Sequence, residues 1–307
     1  MKASVLLATY NGIDYIGEQI DSLISQTRLP DEIIVIDDAS TDGTVSYVSD
    51  FISSYQGPIN VKLYENPSNC GWRANFRRGQ SLCNGDVIFF CDQDDIWIQN
   101  KIERYLSLLE DNQDINVIVS PCSPFKPGEI CVQQQMAGDY VRWTDDFQES
   151  DFFQCHGEGC TMAVRKRYTE AVDSFRKDEF AHDFFFCRMA RLDKTLAMMV
   201  EPSVLRRLHG DNASLGGRDL ERSKQICLLH KDVLVAMRNY CASLGLGSDV
   251  TSRIDYLIKA NSTRYDYLCK HSFKDLCAIA GSHKVLYERP WKLLGDVALA
   301  SGIIRRR

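Results

Sequence analysis

Three carboxylates fall within four positions in the stretch FFCDQDDIW, residues 89–97: Asp92, Asp94 and Asp95. Phe89, Phe90 and Cys91 lead into them as an apolar run that reads as a buried strand. Acids at the end of such a strand repel one another and lose hydration unless a cation or a ligand compensates. A hard divalent cation, Mg²⁺ or Mn²⁺, suits them, and Mg²⁺ prefers one or two carboxylates shared with phosphate oxygens. A metal and a diphosphate held together are the expectation. Two more polar clusters end apolar runs: Thr9-Tyr10-Asn11 after SVLLA, and Asp37-Asp38 within IIVIDD. Alone, Asn11 reads equally as a turn residue, and Asp37 and Asp38 as caps of the next helix. Three clusters at three strand ends point instead to one crevice, because open α/β sheets bind ligands beyond the carboxyl ends of their strands.

Two downstream stretches carry further chemistry. HDFFF (182–186) sets Asp183 against apolar bulk, where a carboxyl pKa rises and the group can serve as a general base. Its alternative is an N-cap of the helix FFFCRMARL. RRLHGDNASLGG (206–217) offers His209 as a metal ligand in a polar loop, beside Arg206 and Arg207. Neither G-x-G-x-x-G after the first strand nor G-x-x-x-x-G-K-[ST] occurs, which disfavours a dinucleotide-binding dehydrogenase and a P-loop NTPase. An Asp-nucleophile phosphatase also places D-x-D after an apolar strand, with Asp92 attacking phosphorus. Ile96 occupies the position where that motif carries a threonine, two residues past the second Asp.

The elements that must hold these groups follow from periodicity. Strands are expected at 4–10, 33–37, 59–67, 86–91, 115–120 and 160–166. Helices are expected around Ile16–Thr27, Val45–Tyr55, 72–83 and Ile102–Leu109. Strands alternating with helices give an α/β fold, a mostly parallel sheet with helices on both faces. Residues 121–160, with Pro-rich turns and a Gln run, read as a long loop region. From about 219 the pattern is helical to the end, so the expected domains are 1–217 and a C-terminal helical extension, 218–307, with a soft boundary at Gly216-Gly217.

The 307 residues are 44% hydrophobic and 25% charged, as a globular protein is. A net charge of −6 disfavours nucleic acid as a partner. No run of about 20 uncharged apolar residues exists to span a membrane, and the N-terminal apolar run is too short for a signal peptide. The twelve cysteines contain no C-x-x-C pair, which argues against zinc, and they read as reduced thiols of a cytoplasmic protein.

In chain order, ATYNG (8–12), IDDASTDGT (36–44), NCGWRANF (69–76), CDQDDIW (91–97), HGEGCTMAVRK (156–166), HDFF (182–185) and RLHGDNAS (207–214) resemble the motifs of the GT-A-fold, inverting glycosyltransferases of family 2. The resemblance covers roughly residues 1–217. CDQDDIW has the form associated with bacterial rhamnosyltransferases and related O-antigen or capsule enzymes, although Phe184 and Phe185 stand where such members often carry tryptophans. The resemblance implies that Tyr10 stacks on the nucleobase and Asp38 accepts from its imide N–H. Thr9, Asn11 and Asn75 would share the nucleotide site, with Asp92 near the ribose. Asp94 and His209 would hold the metal, Arg207 would neutralise the diphosphate, and Asp183 would be the base. Asp95, Trp97, Gly159, Cys160 and His182 would line the donor or acceptor sugar. It implies transfer from dTDP-rhamnose or a UDP-hexose to a lipid-linked glycan in surface polysaccharide synthesis. A phosphatase and a non-catalytic nucleotide-sugar binding module stay open as alternatives.

Residues 281–307 carry six basic residues against Glu288 and Asp296, +4 in a chain of −6, leaving −10 for the rest. Trp291, Leu294 and Ala298, with Leu293, Val297 and Ile304 on a neighbouring stripe, form a broad apolar face. Two readings are open: contact with the inner face of an anionic membrane, or packing on the catalytic domain with a solvated Arg tail.

Overall fold

The computed structural model describes every residue except 127–128, 130–133, 155–156, 210–218, 283–285, 287–290 and 302–307. The chain forms two compact units. One comprises Met1–Thr144, Gly157–Asp173 and Ala181–Gly210; the other comprises Asp145–His156, Ser174–Phe180 and Asp211–Arg307. The boundary expected at 216–218 lies outside the described residues.

In chain order the elements are β1 (Ala3–Thr9), α1 (Ile16–Ile24), β2 (Glu32–Asp37), α2 (Thr44–Ser54), β3 (Asn60–Glu65), α3 (Trp72–Gln80), β4 (Val87–Asp92), β5 (Ile96–Trp97), α4 (Lys101–Asp111), β6 (Val117–Val119), β7 (Cys122–Phe125), β8 (Tyr140–Arg142), α5 (Asp151–Gln154), β9 (Ala163–Arg165), α6 (Lys166–Val172), α7 (His182–Leu192), β10 (Leu196–Met199), β11 (Val204–Arg207), α8 (Leu220–Leu244), α9 (Ser248–Lys270), α10 (Phe273–Gly281) and α11 (Trp291–Ala300). An eight-stranded sheet runs β3-β2-β1-β4-β9-β6-β10-β8, and a small sheet runs β5-β11-β7. The sheet is mostly parallel: β1 pairs parallel with β2 and β4, β2 with β3, and β6 with β10. β9 lies antiparallel between β4 and β6, and β8 closes one edge antiparallel.

β1 and β2 are buried along their whole length, as continuous apolar strands covered on both faces must be. Gly79 of α3 lets that helix lie close on the sheet, since a Cβ there would stand 2.3 Å from Leu6 Cδ1 and 2.8 Å from Ile36 Cγ2. Register sets the functional edge. Thr9 pairs with Asp37 and Ala8 with Asp92, so the ends of β1, β2 and β4 open onto one side.

The segment 121–160, expected to be loop, holds β7, β8, α5 and a 3₁₀ turn at Gly159–Thr161. β10 and β11 also escape periodicity. At three or four residues each, β7, β8, β10 and β11 are too short to show an alternation, and they form through backbone pairing with strands equally short and distant in sequence.

In the second unit, α8 and α9 are joined across Gly245–Gly247, with Gly245 at φ +63 closing α8. Cys227, Ala260, Tyr267, Leu268, Ile279 and Ala300 form its core, with Leu293 and Val297 of α11 packed against it. Arg264 and Asp296 form a buried ion pair there, Nε to Oδ2 at 2.7 Å. α11 therefore packs one apolar stripe within its own unit and leaves Leu294 67% exposed. No helix among the described residues is long and apolar enough to cross a membrane. The ten described cysteines are free thiols, and six of them are buried.

Candidate active site

Asp37 ends β2 and ties its loop down. It accepts from Thr9 Oγ1 at 2.7 Å, from Ser40 N at 2.7 Å and from Ser40 Oγ at 2.6 Å. Neither Asp37 nor Asp38 caps α2: its N-cap is Gly43, and Asp42 just before it accepts from Thr44 N at 3.0 Å. Asn11, held at φ +47, accepts from Thr41 N at 2.8 Å, while its own N–H donates to Ser40 Oγ. Tyr10 is 47% exposed and presents its ring at this edge. Its backbone exchanges two hydrogen bonds with the Gln93 side chain, N–H to Oε1 at 2.7 Å and Nε2 to O at 2.9 Å. The loops after β1, β2 and β4 are thereby stitched together.

Asp38 is nearly buried and surrounded by donors: Asn66 Nδ2 at 2.9 Å, Cys70 N at 2.8 Å and Gly71 N at 2.8 Å. Burial pushes its pKa up, but the bonds from Cys70, Asn66 and Gly71 outweigh that and hold it below the ordinary carboxylate value. Asn75, expected beside the nucleotide, is buried and spends its amide internally. It accepts from Asn66 Nδ2 at 2.8 Å and donates to Ile36 O at 3.0 Å, so it props the Asp38 network from behind.

The acid loop after β4 divides its three carboxylates among different environments. Asp94 Oδ2 meets His209 Nε2 at 2.7 Å, and the His209 ring lies 4.7 Å from Tyr15. Asp95 is buried and accepts from Arg207 N at 3.1 Å. Burial and the neighbouring Asp94 raise its pKa to about 7. Burial, then Asp94, Asp95 and Asp183, push Asp92 well above its ordinary value. Arg207, expected on the diphosphate, is committed elsewhere. Its Nε donates to Asp94 O at 3.0 Å, its Nη2 pairs with Glu18 at 2.5 Å, and the guanidinium packs 4.7 Å from the Phe125 ring. It shapes the loop bearing Asp94 and Asp95.

Asp183 opens α7, where Phe184 N donates to its Oδ1 at 2.7 Å. Burial raises its pKa, only partly offset by Phe184 N–H, Arg188 and Arg73. His182 just before it is buried, stacked on Phe90 of β4 with centroids 4.3 Å apart and planes 11° apart. That stack sets the start of α7 beside the end of β4, and hence Asp183 beside Asp92.

The residues expected against a sugar act mostly from beneath. Asp95, Trp97, Cys160 and His182 are all buried, whereas Gly159 is half-exposed. Pairing of β5 with β11 turns the Trp97 indole into the core, 6.0 Å from Phe89. Among the described residues Asp92, Asp95 and Cys160 bring donor atoms within 4.8 Å of one another. Burial keeps the Cys160 thiol protonated and it shares a hydrogen bond with Asp95, an arrangement unsuited to a hard cation. Sequence reasoning missed Gln93, Asn66 and Lys101. Gln93 sits inside the acid run and was open to notice; nothing local marks Lys101 as fully buried.

Comparison with known proteins agrees with this geometry. The chain is 32% identical over 225 residues to the dTDP-rhamnosyl transferase RfbG of Shigella flexneri, covering 67% of this chain and 72% of that protein. Among solved structures it resembles S. aureus TarS 1–349 in complex with UDP-GlcNAc, at TM-score 0.63 and 18% identity over 95% of this chain and 84% of that one. It also resembles the mannosyltransferase PcManGT of Pyrobaculum calidifontis in complex with GDP-Man and Mn²⁺, at TM-score 0.54 and 13% identity over 98% and 84% of the two chains. The model of the family "Glycosyl transferase family 2" matches residues 4–172. A GT-A-type sheet, a carboxylate-lined strand edge and these matches together make the chain a member of glycosyl transferase family 2.

Proposed function

We propose that this enzyme transfers one sugar, with inversion, from a dTDP- or UDP-linked donor to a hydroxyl of a lipid-linked glycan in bacterial surface polysaccharide synthesis. The observation that carries the reading is the placing of Asp183, at the start of α7, beside the acid loop that follows β4, fixed by the stack of His182 on Phe90 at 4.3 Å. The dTDP-rhamnosyl relative and the UDP-sugar complex of a structural neighbour support the two donor classes.

In this reading Tyr10 stacks on the base, and Asp38, pre-set by Asn66, Cys70 and Gly71, takes the imide N–H. The acceptor hydroxyl gives its proton to Asp183 Oδ2, since Oδ1 is engaged by Phe184 N–H. Its oxygen forms a bond to the anomeric carbon as the bond from that carbon to the diphosphate oxygen breaks on the opposite face. A base acts best with a pKa near the working pH, and the raised pKa of Asp183 moves it that way. Asp94 and His209 would hold a divalent cation: a carboxylate and an imidazole, now hydrogen-bonded to each other at 2.7 Å, would exchange that bond for the metal, with Arg207 orienting the loop behind them. Bound there, Mg²⁺ or Mn²⁺ supplies charge that offsets the negative charge of the departing nucleoside diphosphate.

The test is thermal stabilisation by UDP and dTDP with and without Mn²⁺. Mn²⁺ should deepen the shift of one nucleotide in the native protein, and Asp94→Asn should abolish that increment while leaving the unliganded Tm in place. An increment that survives the substitution assigns the metal elsewhere. Family 2 membership argues against the phosphatase alternative.

A further inference from the structure

Lys101, the first residue of α4, is fully buried, which lysines almost never are without partners. Its Nζ donates to Cys160 O at 2.7 Å and stands 3.5 Å from the centroid of the Trp97 ring. One helical turn on, the Tyr105 hydroxyl donates to Thr161 O at 2.9 Å. Two consecutive carbonyls of the Gly159–Thr161 turn are thus gripped from one face of α4, by side chains at i and i+4.

On its other side the turn bears on His182, the residue before the base. Gly159 faces His182 so closely that a Cβ would stand 2.5 Å from His182 Nε2. His182 is clasped against Phe90 and Phe76 and precedes Asp183. Trp97, beneath the ammonium, continues the acid loop, and its strand pairs with β11, whose Arg207 N–H holds Asp95. One ammonium therefore touches both the turn that abuts His182, the neighbour of the base, and the strand that directly follows the acids. From this geometry we infer that Lys101 is a positioning residue that fixes the separation between Asp183 and the Asp92–Asp95 loop. The inference rests on the reading of Asp183 as the base. Burial lowers the pKa of Lys101 to about 8, which still leaves it mostly charged near neutrality.

Lys101→Met and Lys101→Arg test it, with Asp183→Asn as control. The readouts are a crystal structure of Lys101→Met, turnover of dTDP-rhamnose and UDP-glucose, and affinity for dTDP and UDP. In Lys101→Met, Asp183 should shift by about 1 Å relative to Asp92 and kcat should fall ~10²-fold, with nucleotide affinity little changed. Lys101→Arg should recover part of kcat. An unmoved Asp183, or native kcat well below the variant's Tm, overturns the inference. Where Lys101→Met does not fold, Gly159→Ala pushes the same turn onto His182 without touching Lys101, and native kcat in that variant counts against the idea. An active Asp183→Asn sinks the assignment of the base, whereas an inactive one beside a fully active Lys101→Met sinks only the role of Lys101.

Discussion

Asp183 is where the chemistry can be tested most sharply. Asp183→Asn should cost about 10²–10⁴-fold in turnover while nucleotide affinity stays close to native, because a general base contributes in the transition state. Burial raises its pKa, so the proton-accepting form appears at higher pH than for an ordinary carboxylate. Activity should fall as pH drops through that raised value, placing the acidic limb of kcat/KM above the usual carboxylate range. A limb in the ordinary range, or near-native turnover in the Asn variant, would move the base to another residue. The titratable groups were legible at this scale because acids after apolar runs stand out in a sequence. Their division of labour was not. Asn75 and Arg207 look like ligand contacts in a motif, yet partners of each, Ile36 O for Asn75 and Glu18 for Arg207, lie far off in sequence.

Elements that stand out as apolar runs or helical periods were legible, and the short paired strands of the second half were not. β1, β2, β4 and the helices between them carry enough periods to declare themselves, whereas β10 and β11 exist through pairing with β6, β7 and β5. Close contact between elements was equally invisible. Gly79 reads as a helix glycine costing local stability, but it is the contact that seats α3 on β1 and β2. Gly79→Ala gains helix propensity, yet overpacks Leu6 and Ile36. The expected result is a net destabilisation of about 1–3 kcal/mol, read by denaturant unfolding. A stabilised variant would show that α3 can slide without cost.

For the whole molecule, the second unit supplies its own test. The buried Arg264–Asp296 pair joins α9 to α11, and removing one member strands the other charge. Asp296→Ala should cost about 3–5 kcal/mol, seen as early loss of the second unit's helical signal on heating. Unchanged melting would make the pair dispensable. The apolar stripe of α11 was foreseen but not its partner, since Leu293 and Val297 meet a core assembled from α8, α9 and α10. Exposed Leu294 and the basic tail remain the proposed membrane contact. A chain ending at Glu288 should then bind anionic liposomes more weakly than the full chain on co-sedimentation, and equal binding would end that reading.

The reciprocal amide pairing of Gln93 with Tyr10 has a consequence for redesign. The residue expected to meet the nucleobase and the loop expected to meet the diphosphate share two hydrogen bonds, and Ser40 and Thr41 bind the third loop to Asn11. A graft that brings in only one loop from a relative with another donor would leave these hydrogen bonds between the loops unmade. In the proposed reading of the site, donor choice would be inherited as a block of three loops, and a laboratory exchange of specificity would have to transplant all three together.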